Sequence, residues 1–314
     1  MSIECPVEHC HAPDTTCSEG HKTLKACPYY AKISIEPKNQ NEDGTSHNFP
    51  WNGNSLGLDN INLITSFTKP ALIGLIGPYS SGKTTILATS YLMLFNGFDF
   101  SNQSFAGSLT LSGWEQISSY MQFQGYDEPT FPPHTPFGQG RTPGLLHLCL
   151  RKNEGWLNDI LITDPPGEWF EKWADNVNDE DAAGARWIAD NSTHFILLID
   201  SELLIGDEAQ IAKQDLFTLA ERLASVNRSR PVAIAWTKTD INVSVEMRDA
   251  IVSRLDRLFT NKEYFDLSVV NNNQENLLHG FESLWKWLLT DGTSTNSSIV
   301  LPGFTGDYFL DYRG

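Results

Sequence analysis

Short apolar runs alternate with amphipathic stretches along the central part of this 314-residue chain. Residues 71–76 form a continuous apolar run of strand length, as is typical of a parallel strand buried on both faces. Residues 84–95 then have the length and composition of a helix. The same alternation predicts strands at 145–150, 157–163, 194–200 and 232–236, and helices at 112–123, 207–226, 245–259 and 275–289. This order predicts an α/β fold with a doubly wound, mostly parallel sheet.

Composition divides the chain into four segments. Residues 1–35 are rich in Cys and His, and 36–69 read as a polar linker followed by a capping segment whose apolar side chains can pack beside the first strand. Residues 70–292 carry the alternating strands and helices and include a long insertion at 96–141. Residues 293–314 form a Ser/Thr-rich and then aromatic tail.

The segment after the first strand matches the phosphate-binding loop pattern at every required position. Gly77 lets the backbone leave the strand sharply, and Gly82 permits a conformation that aims successive N–H groups at one point. Lys83 is expected to place a cation on the terminal phosphates, and Thr84 to offer its hydroxyl to Mg²⁺. The alternative is a Gly/Ser-rich turn before a core helix. The predicted nucleotide-binding residues here are Gly77, Pro78, Tyr79, Ser80, Ser81, Gly82, Lys83, Thr84 and Thr85.

A second motif, Asp-Pro-Pro-Gly-Glu, follows the predicted strand at 157–163. Asp164, at the carboxyl end of that strand, can hold Mg²⁺ through water, and Gly167 can donate its N–H to a γ-phosphate. The same Asp-x-x-Gly spacing recurs at Asp181. Because that copy does not follow a strand directly, we interpret it as part of an acidic, solvated segment.

A third motif, Thr-Lys-Thr-Asp, follows the predicted strand at 232–236. The Asp240 carboxylate can accept hydrogen bonds from N1–H and the exocyclic amine of guanine, whereas adenine has no matching pair of donors. Lys238 is expected to lay its aliphatic stem along the ring. Thr237 replaces the commoner Asn and keeps a hydrogen-bonding side chain. The motif favours GTP over ATP, and the alternative is an exposed turn after a core strand.

In this order, each at a strand end, the three motifs resemble the translation-factor-type small GTPase domain over residues 70–292. The resemblance implies a Ras-like P-loop sheet, GTP or GDP with Mg²⁺, and two switch loops. It also implies that Ser268 lies near guanine O6, although the usual Ser-Ala-Lys is Ser-Val-Val here. The cysteine-rich start, residues 105–115 and the Asp-Pro-Pro-Gly-Glu segment are similar to the bacterial double-GTPase group of conflict and signalling systems.

The same resemblance indicates which residues take part in hydrolysis and switching. Thr142 stands just before the predicted strand at 145–150, where the nucleotide-sensing Thr of the first switch is expected. Thr135 is the second candidate for that role. Arg141 beside it either supplies a cation to the transferred phosphate or is a solvated surface side chain. Glu168 stands where small GTPases commonly have Gln. The predicted catalytic residues are Lys83, Thr142, Gly167 and Glu168.

Two segments at switch positions are candidate surfaces for protein partners. The insertion at 96–141 is long and aromatic, so it either binds a partner or is a packing element that does not move. The second switch coincides with an acidic, tryptophan-rich stretch at 169–187. Exposed Trp there would suit partner contact, whereas packing against the sheet is the commoner fate.

Cysteines and histidines cluster in the first thirty residues. In a cytosolic chain such a cluster indicates metal ligands more often than disulfides. The spacing is irregular, because Cys-x-x-Cys pairs are missing, and the alternative is a flexible or redox-labile segment. The candidate ligands of a zinc-ribbon-like site are Cys5, Cys10, Cys17, His21 and Cys27.

The formal net charge of −17 disfavours direct binding to nucleic acid or to anionic membranes. No apolar run approaches membrane-spanning length, and the polar start does not resemble a signal peptide, so a cytoplasmic protein is expected. The motifs predict a slow, magnesium-dependent GTPase switch that acts with partner proteins. The alternatives are a non-catalytic nucleotide-binding scaffold of a multi-protein complex and an ATPase that uses the same loop.

Overall fold

A computed structural model of the chain describes residues 55–122, 130–132, 143–152, 156–270 and 274–290. The chain divides into two compact units, Met1–Phe49 and Pro50–Gly314, and all described residues belong to the second. The candidate zinc ligands lie outside the described residues, as do Thr135, Arg141 and Thr142.

Strands and helices alternate along the described chain much as the apolar pattern predicts. The strands are β1 (Ala71–Ile76), β2 (Gln103–Gly107), β3 (Leu145–Lys152), β4 (Leu157–Thr163), β5 (His194–Asp200), β6 (Val232–Thr237) and β7 (Lys262–Asp266). The helices are α1 (Asn62–Thr65), α2 (Lys83–Phe95), α3 (Leu111–Ser119), α4 (Glu168–Asp175), α5 (Ala183–Asn191), α6 (Ala209–Asn227), α7 (Val245–Leu258) and α8 (Gln274–Thr290). Three short 3₁₀ turns cover Leu58–Asn60, Glu180–Ala182 and Glu202–Leu204.

The strands form one seven-stranded sheet in the order β2-β3-β4-β1-β5-β6-β7. The four pairs β4-β1, β1-β5, β5-β6 and β6-β7 are parallel, and the two pairs β2-β3 and β3-β4 are antiparallel. The sheet is therefore mostly parallel, as predicted. Because the strand that follows β4 in the chain lies on the far side of β1, a crevice opens at the carboxyl end of β1, where ligands bind in such sheets.

Helices cover both faces of the sheet, which explains why its central strands are apolar throughout. One core cluster joins Leu75 of β1 to Trp114 of α3 and Phe281 of α8. The other joins Ile76 of β1 to helices α4 to α7. Leu56 and Ile64 of the capping segment pack with Leu72 in a smaller cluster, as their apolar character predicts.

The described part of the insertion is built into the sheet. It supplies β2, an edge strand, and α3, whose Trp114 is fully buried. The Trp114 indole stacks on Tyr91, and its N–H donates to the backbone carbonyl of His147 (2.8 Å). This part of the insertion is therefore a packing element.

The tryptophans of the predicted second switch also face the core. Trp169 and Trp173 on α4 are buried among the helices of that face. Their burial supports packing against the sheet over direct partner contact. Within the described ranges, the structure contains no helix that is both long and apolar enough to cross a membrane.

Candidate nucleotide-binding site

The loop between β1 and α2 has the backbone that the phosphate-loop pattern predicts. Gly82 has φ +86°, in the left-handed region that glycine adopts without strain. Ser80 also has a left-handed backbone, with φ +61°. Gly77 is required for space: a Cβ there would lie 2.6 Å from Ser81 Oγ and 3.0 Å from Leu198 Cβ. Helix α2 begins at Lys83, so its first N–H groups face the space enclosed by the loop.

Lys83 is held against the loop by backbone carbonyls. Its ammonium donates to Gly77 O (3.0 Å) and Pro78 O (2.7 Å), and the residue is only 7% exposed. Burial lowers the pKa of Lys83 to about 8, while the carboxylates of Asp164, Glu168 and Glu171 act in the opposite direction. The charge of this lysine therefore depends on what anion lies beside it.

Thr84 and Asp164 meet as the predicted magnesium pair. The Thr84 hydroxyl lies 3.1 Å from each carboxylate oxygen of Asp164, which follows directly after β4. A hydroxyl and a carboxylate are hard oxygen donors of the kind that Mg²⁺ accepts beside phosphate oxygens. The two side chains thus fit the role predicted from the sequence.

Gly167 packs directly on the phosphate loop. A Cβ at this position would lie 2.2 Å from Tyr79 N and 2.5 Å from Pro78 C, both of which are backbone atoms. Its own φ of −64° is ordinary, so glycine is required here by space alone. Because the two motifs are in contact, a movement of Gly167 toward the loop would displace the loop backbone.

Two glutamates on the first turn of α4 also face the loop. Glu168 Oε2 is buried and has no hydrogen-bond partner among the described residues, so this oxygen does not point to solvent. Glu171 Oε1 accepts from the Tyr79 N–H (3.1 Å). The sequence analysis missed this contact, although the three-residue spacing from Glu168 places both side chains on one face of the helix.

The third motif and Ser268 lie together at the other end of the site. Ser268 Oγ donates to Asp240 Oδ1 (2.6 Å), and Thr237 Oγ1 donates to Ile199 O (3.3 Å). Lys238 has φ +53°, and its side chain extends to an ion pair.

Two acidic residues that the sequence analysis missed hold Lys238. Its Nζ lies 2.7 Å from both Asp200 Oδ2 and Glu202 Oε2. Hydrogen bonds to these two carboxylates outweigh burial and raise the pKa of Lys238, which stays charged. The available signal was the position of Asp200 at the carboxyl end of β5, beside β6.

These segments enclose one cavity of about 420 Å³. Residues 79–86 line one part, Pro165–Gly167 another, and Lys238, Asp240 and Ser268 the far end. Phe131 and Pro132 of the insertion also contribute. The cavity therefore joins all three motifs. Thr142 is not among the described residues, so its place near the site stays a prediction.

The second Asp-x-x-Gly copy has a structural role. Asp181 pairs with Lys172 (2.6 Å), and a Cβ on Gly184 would lie 2.1 Å from the Trp169 ring. The glycine of this second motif therefore allows α5 to pack closely against Trp169 of α4. In the part of the chain that the structure describes, no group of three His, Cys, Asp or Glu side chains could hold a metal ion.

Comparisons with solved structures give distant likenesses. The GDP-bound RocCORdC part of Roco2 from Methanosarcina barkeri is 17% identical, with 71% of this chain and 50% of that one covered and a TM-score of 0.36. Nucleolar GTP-binding protein 1 of Plasmodium falciparum is 14% identical, with 72% and 92% covered and a TM-score of 0.39. The chain thus matches half the length of the Roco2 structure.

Family membership rests on a different comparison. No sequence among the curated proteins matches the chain significantly. The family model for Double-GTPase 2, however, matches residues 71–289, well over half of the chain. That range begins with β1 and contains all three motifs, whose residues line the cavity. The chain therefore belongs to the double-GTPase 2 family, whose members are P-loop GTPases.

Proposed function

We propose that this protein is a magnesium-dependent GTPase switch that hydrolyses GTP slowly on its own and acts with partner proteins. The observation that carries the proposal is the meeting of Lys83, the Thr84–Asp164 pair and Asp240 around one cavity of about 420 Å³. A cation, two magnesium donors and a guanine-reading carboxylate are the parts that GTP requires.

Each part has a role that follows from its position. Lys83 and the N–H groups at the start of α2 bind phosphate oxygens, and Thr84 with Asp164 holds Mg²⁺. When bound, the ion neutralises negative charge on the phosphates. Gly167, which touches the backbone of the phosphate loop, senses the terminal phosphate. Asp240, oriented by Ser268, reads guanine.

Slow hydrolysis follows from Glu168. A Gln at this position donates to the γ-phosphate while accepting from the attacking water. A carboxylate accepts from water but cannot donate, and its charge repels phosphate oxygens. Glu168 Oε2 is buried without a partner among the described residues, and the carboxylate acts electrostatically on Lys83 of the phosphate loop. A partner that brings an Arg would offset this repulsion.

The second candidate function is a non-catalytic scaffold in which the nucleotide only stabilises the fold. Glu168 also favours it, because its buried Oε2 has no hydrogen-bond partner among the described residues and its negative charge would oppose hydrolysis. Turnover separates the two candidates. A partner-dependent GTPase turns over at a low but measurable rate, whereas a scaffold keeps its nucleotide unchanged.

The test begins with purified full-length protein, whose retained nucleotide is released and identified by chromatography. Multiple-turnover hydrolysis of GTP and ATP is then measured with Mg²⁺ and with chelator, and Lys83→Ala serves as the control for contaminating hydrolases. We expect retained guanine nucleotide and slow hydrolysis of GTP that needs both Mg²⁺ and Lys83. Bound GTP that is never hydrolysed would establish the scaffold, and equal use of ATP would refute the guanine assignment.

A further inference from the structure

A second cavity, of about 520 Å³, lies between α4 and α6 beside the phosphate loop. Buried apolar side chains of both helices and of β5 form its floor, among them Phe170, Leu198 and Leu216. Leu203 (44% exposed) and Ile211 (63% exposed) stand at its mouth. We call this cavity the α4–α6 groove. Its floor and mouth offer apolar surface that a ligand could bury.

Carboxylates surround the apolar floor. Exposed Glu171 and Asp175 on α4, and exposed Glu208 and Asp215 at the start of α6, line the groove, and none of its lining residues is Lys, Arg or His. Among the described residues, the last three of these acids form no ion pair. Three acids elsewhere on the surface are paired: Asp181 with Lys172, Asp266 with Arg248 and Glu221 with Arg254. Arg222 of α6 donates to the backbone carbonyl of Ala174 beside the groove (3.0 Å), but no described cation forms an ion pair with Asp175, Glu208 or Asp215.

We infer that the α4–α6 groove docks a basic amphipathic helix of a partner protein. Grooves between two helices accept the apolar face of a third helix, and Lys or Arg beside that face would pair with the rim. The inference deepens the proposed function, since it names the partner chemistry of the same switch region. Nucleic acid would be repelled by the rim, and a second copy would bring the same acidic face.

The groove also touches the nucleotide site. Tyr79 lines both cavities, and its N–H donates to Glu171 of the rim. A cation that pairs with Glu171 would draw negative charge away from the carboxylate that accepts this N–H, which weakens the link between α4 and the phosphate loop. Docking and nucleotide binding are therefore coupled, and linkage requires the effect to be equal in both directions.

The test uses a short synthetic helical peptide of Leu and Lys, with Leu at positions i, i+3, i+4 and i+7 and a fluorescent label. The matched peptide carries Glu in place of Lys. Binding to the full-length protein is followed by anisotropy at fixed ionic strength with no nucleotide added. We expect the Lys peptide to bind and the Glu peptide not to bind. Amide hydrogen exchange in α4 and α6 should be slower when the Lys peptide is bound.

Variants with matched controls locate the binding. Ile211→Asn combined with Leu203→Asn is expected to weaken it at least about tenfold, whereas Val245→Asn, at a residue of α7 that is 70% exposed, leaves it unchanged. A charge pair adds a second test: Glu208→Gln with Asp215→Asn should weaken binding by about threefold or more at low salt. The same changes at exposed Glu246 and Asp249 on α7 should not.

Three results would overturn the inference. The first is no binding of the Lys peptide. The second is equal weakening by groove and control variants, which would show only general attraction to an acidic surface. The third is a concentration-dependent dimer that Ile211→Asn disrupts, because the groove would then join two copies. Nucleotide affinity is measured separately, so a protein that binds the peptide but not GTP would refute the proposed function and leave the docking site standing.

Discussion

Nucleotide binding should take up a proton at Lys83. Burial holds the pKa of this lysine at about 8, so at pH 7 roughly nine tenths of the side chains are charged, and at pH 9 roughly one tenth. Phosphate oxygens beside the ammonium favour its charged form and raise its pKa. The attraction between the Lys83 ammonium and the phosphate therefore contributes fully to affinity well below pH 8. This contribution is lost as the pH rises above 8 toward the pKa of the bound state.

The size of the effect follows from these fractions. If the bound pKa exceeds 10, affinity for GDP falls about tenfold between pH 7 and pH 9. At pH 8 each binding event takes up about half a proton. Isothermal calorimetry in buffers of different ionisation enthalpy measures that uptake directly, and a pH series of affinities measures its integral.

A conservative variant controls for other titrations. Guanine N1–H also titrates in alkaline solution, but Lys83→Arg keeps a permanent charge and removes only the contribution of the lysine. We therefore expect proton uptake at pH 8 in the wild type and little in Lys83→Arg. Affinity that is flat from pH 7 to pH 8.5, with no uptake in the wild type, would refute the reasoning from burial.

Three substitutions test the nucleotide site, and metal analysis tests the Cys/His-rich segment. Asp240→Asn should weaken GTP binding about 10- to 100-fold and strengthen binding of xanthosine triphosphate, measured by competition; unchanged preference would remove Asp240 from base recognition. Gly167→Ala should cost about 1–3 kcal/mol in chemical unfolding, since its Cβ would lie 2.2 Å from Tyr79 N, and should reduce discrimination between GTP and GDP; wild-type values for both would contradict the packing argument. Glu168→Gln should leave GTP affinity unchanged and raise single-turnover hydrolysis at least about tenfold; an equal rate in Glu168→Gln, Glu168→Ala and wild type would show that the residue has no part in the chemistry. Metal analysis should find about one zinc per chain bound through residues 1–35, and substoichiometric zinc in freshly reduced protein would contradict that prediction.

The central strands could be predicted because burial on both faces leaves an unbroken apolar run. The predicted bounds of β1, β4 and β5 agree with the structure at both ends. The edge strands β2 and β7 were missed, since most of their side chains are at least partly exposed and carry no such pattern. The antiparallel direction of β3 was not predicted either, because strand direction is set by chain connections that composition does not record.

The candidate site was predictable where chemistry depends on local spacing. A phosphate loop works through consecutive backbone N–H groups, so its residues are adjacent in sequence. Contacts between segments are different. The hydrogen bond between Glu171 and Tyr79 joins residues that are 92 positions apart, and the one between Glu202 and Lys238 joins residues that are 36 positions apart. Such contacts depend on how helices and strands pack, and neither glutamate stands in a motif that would single it out.

The charges around Lys83 would link the proposed docking groove to the proposed hydrolysis. Asp164, Glu168 and Glu171 all act on this lysine, so the end of the site around Lys83 is rich in negative charge. On the proposed function, Mg²⁺ held by Thr84 and Asp164 would offset part of this charge, and a basic partner would offset more. The proposed partner would bring a cation to Glu171, which accepts a hydrogen bond from Tyr79 of the phosphate loop. Glu171 of the groove and Glu168 of the nucleotide site both lie on the first turn of α4. On the proposed function, a basic partner in the groove would therefore bring positive charge close to the carboxylate that we expect to slow hydrolysis.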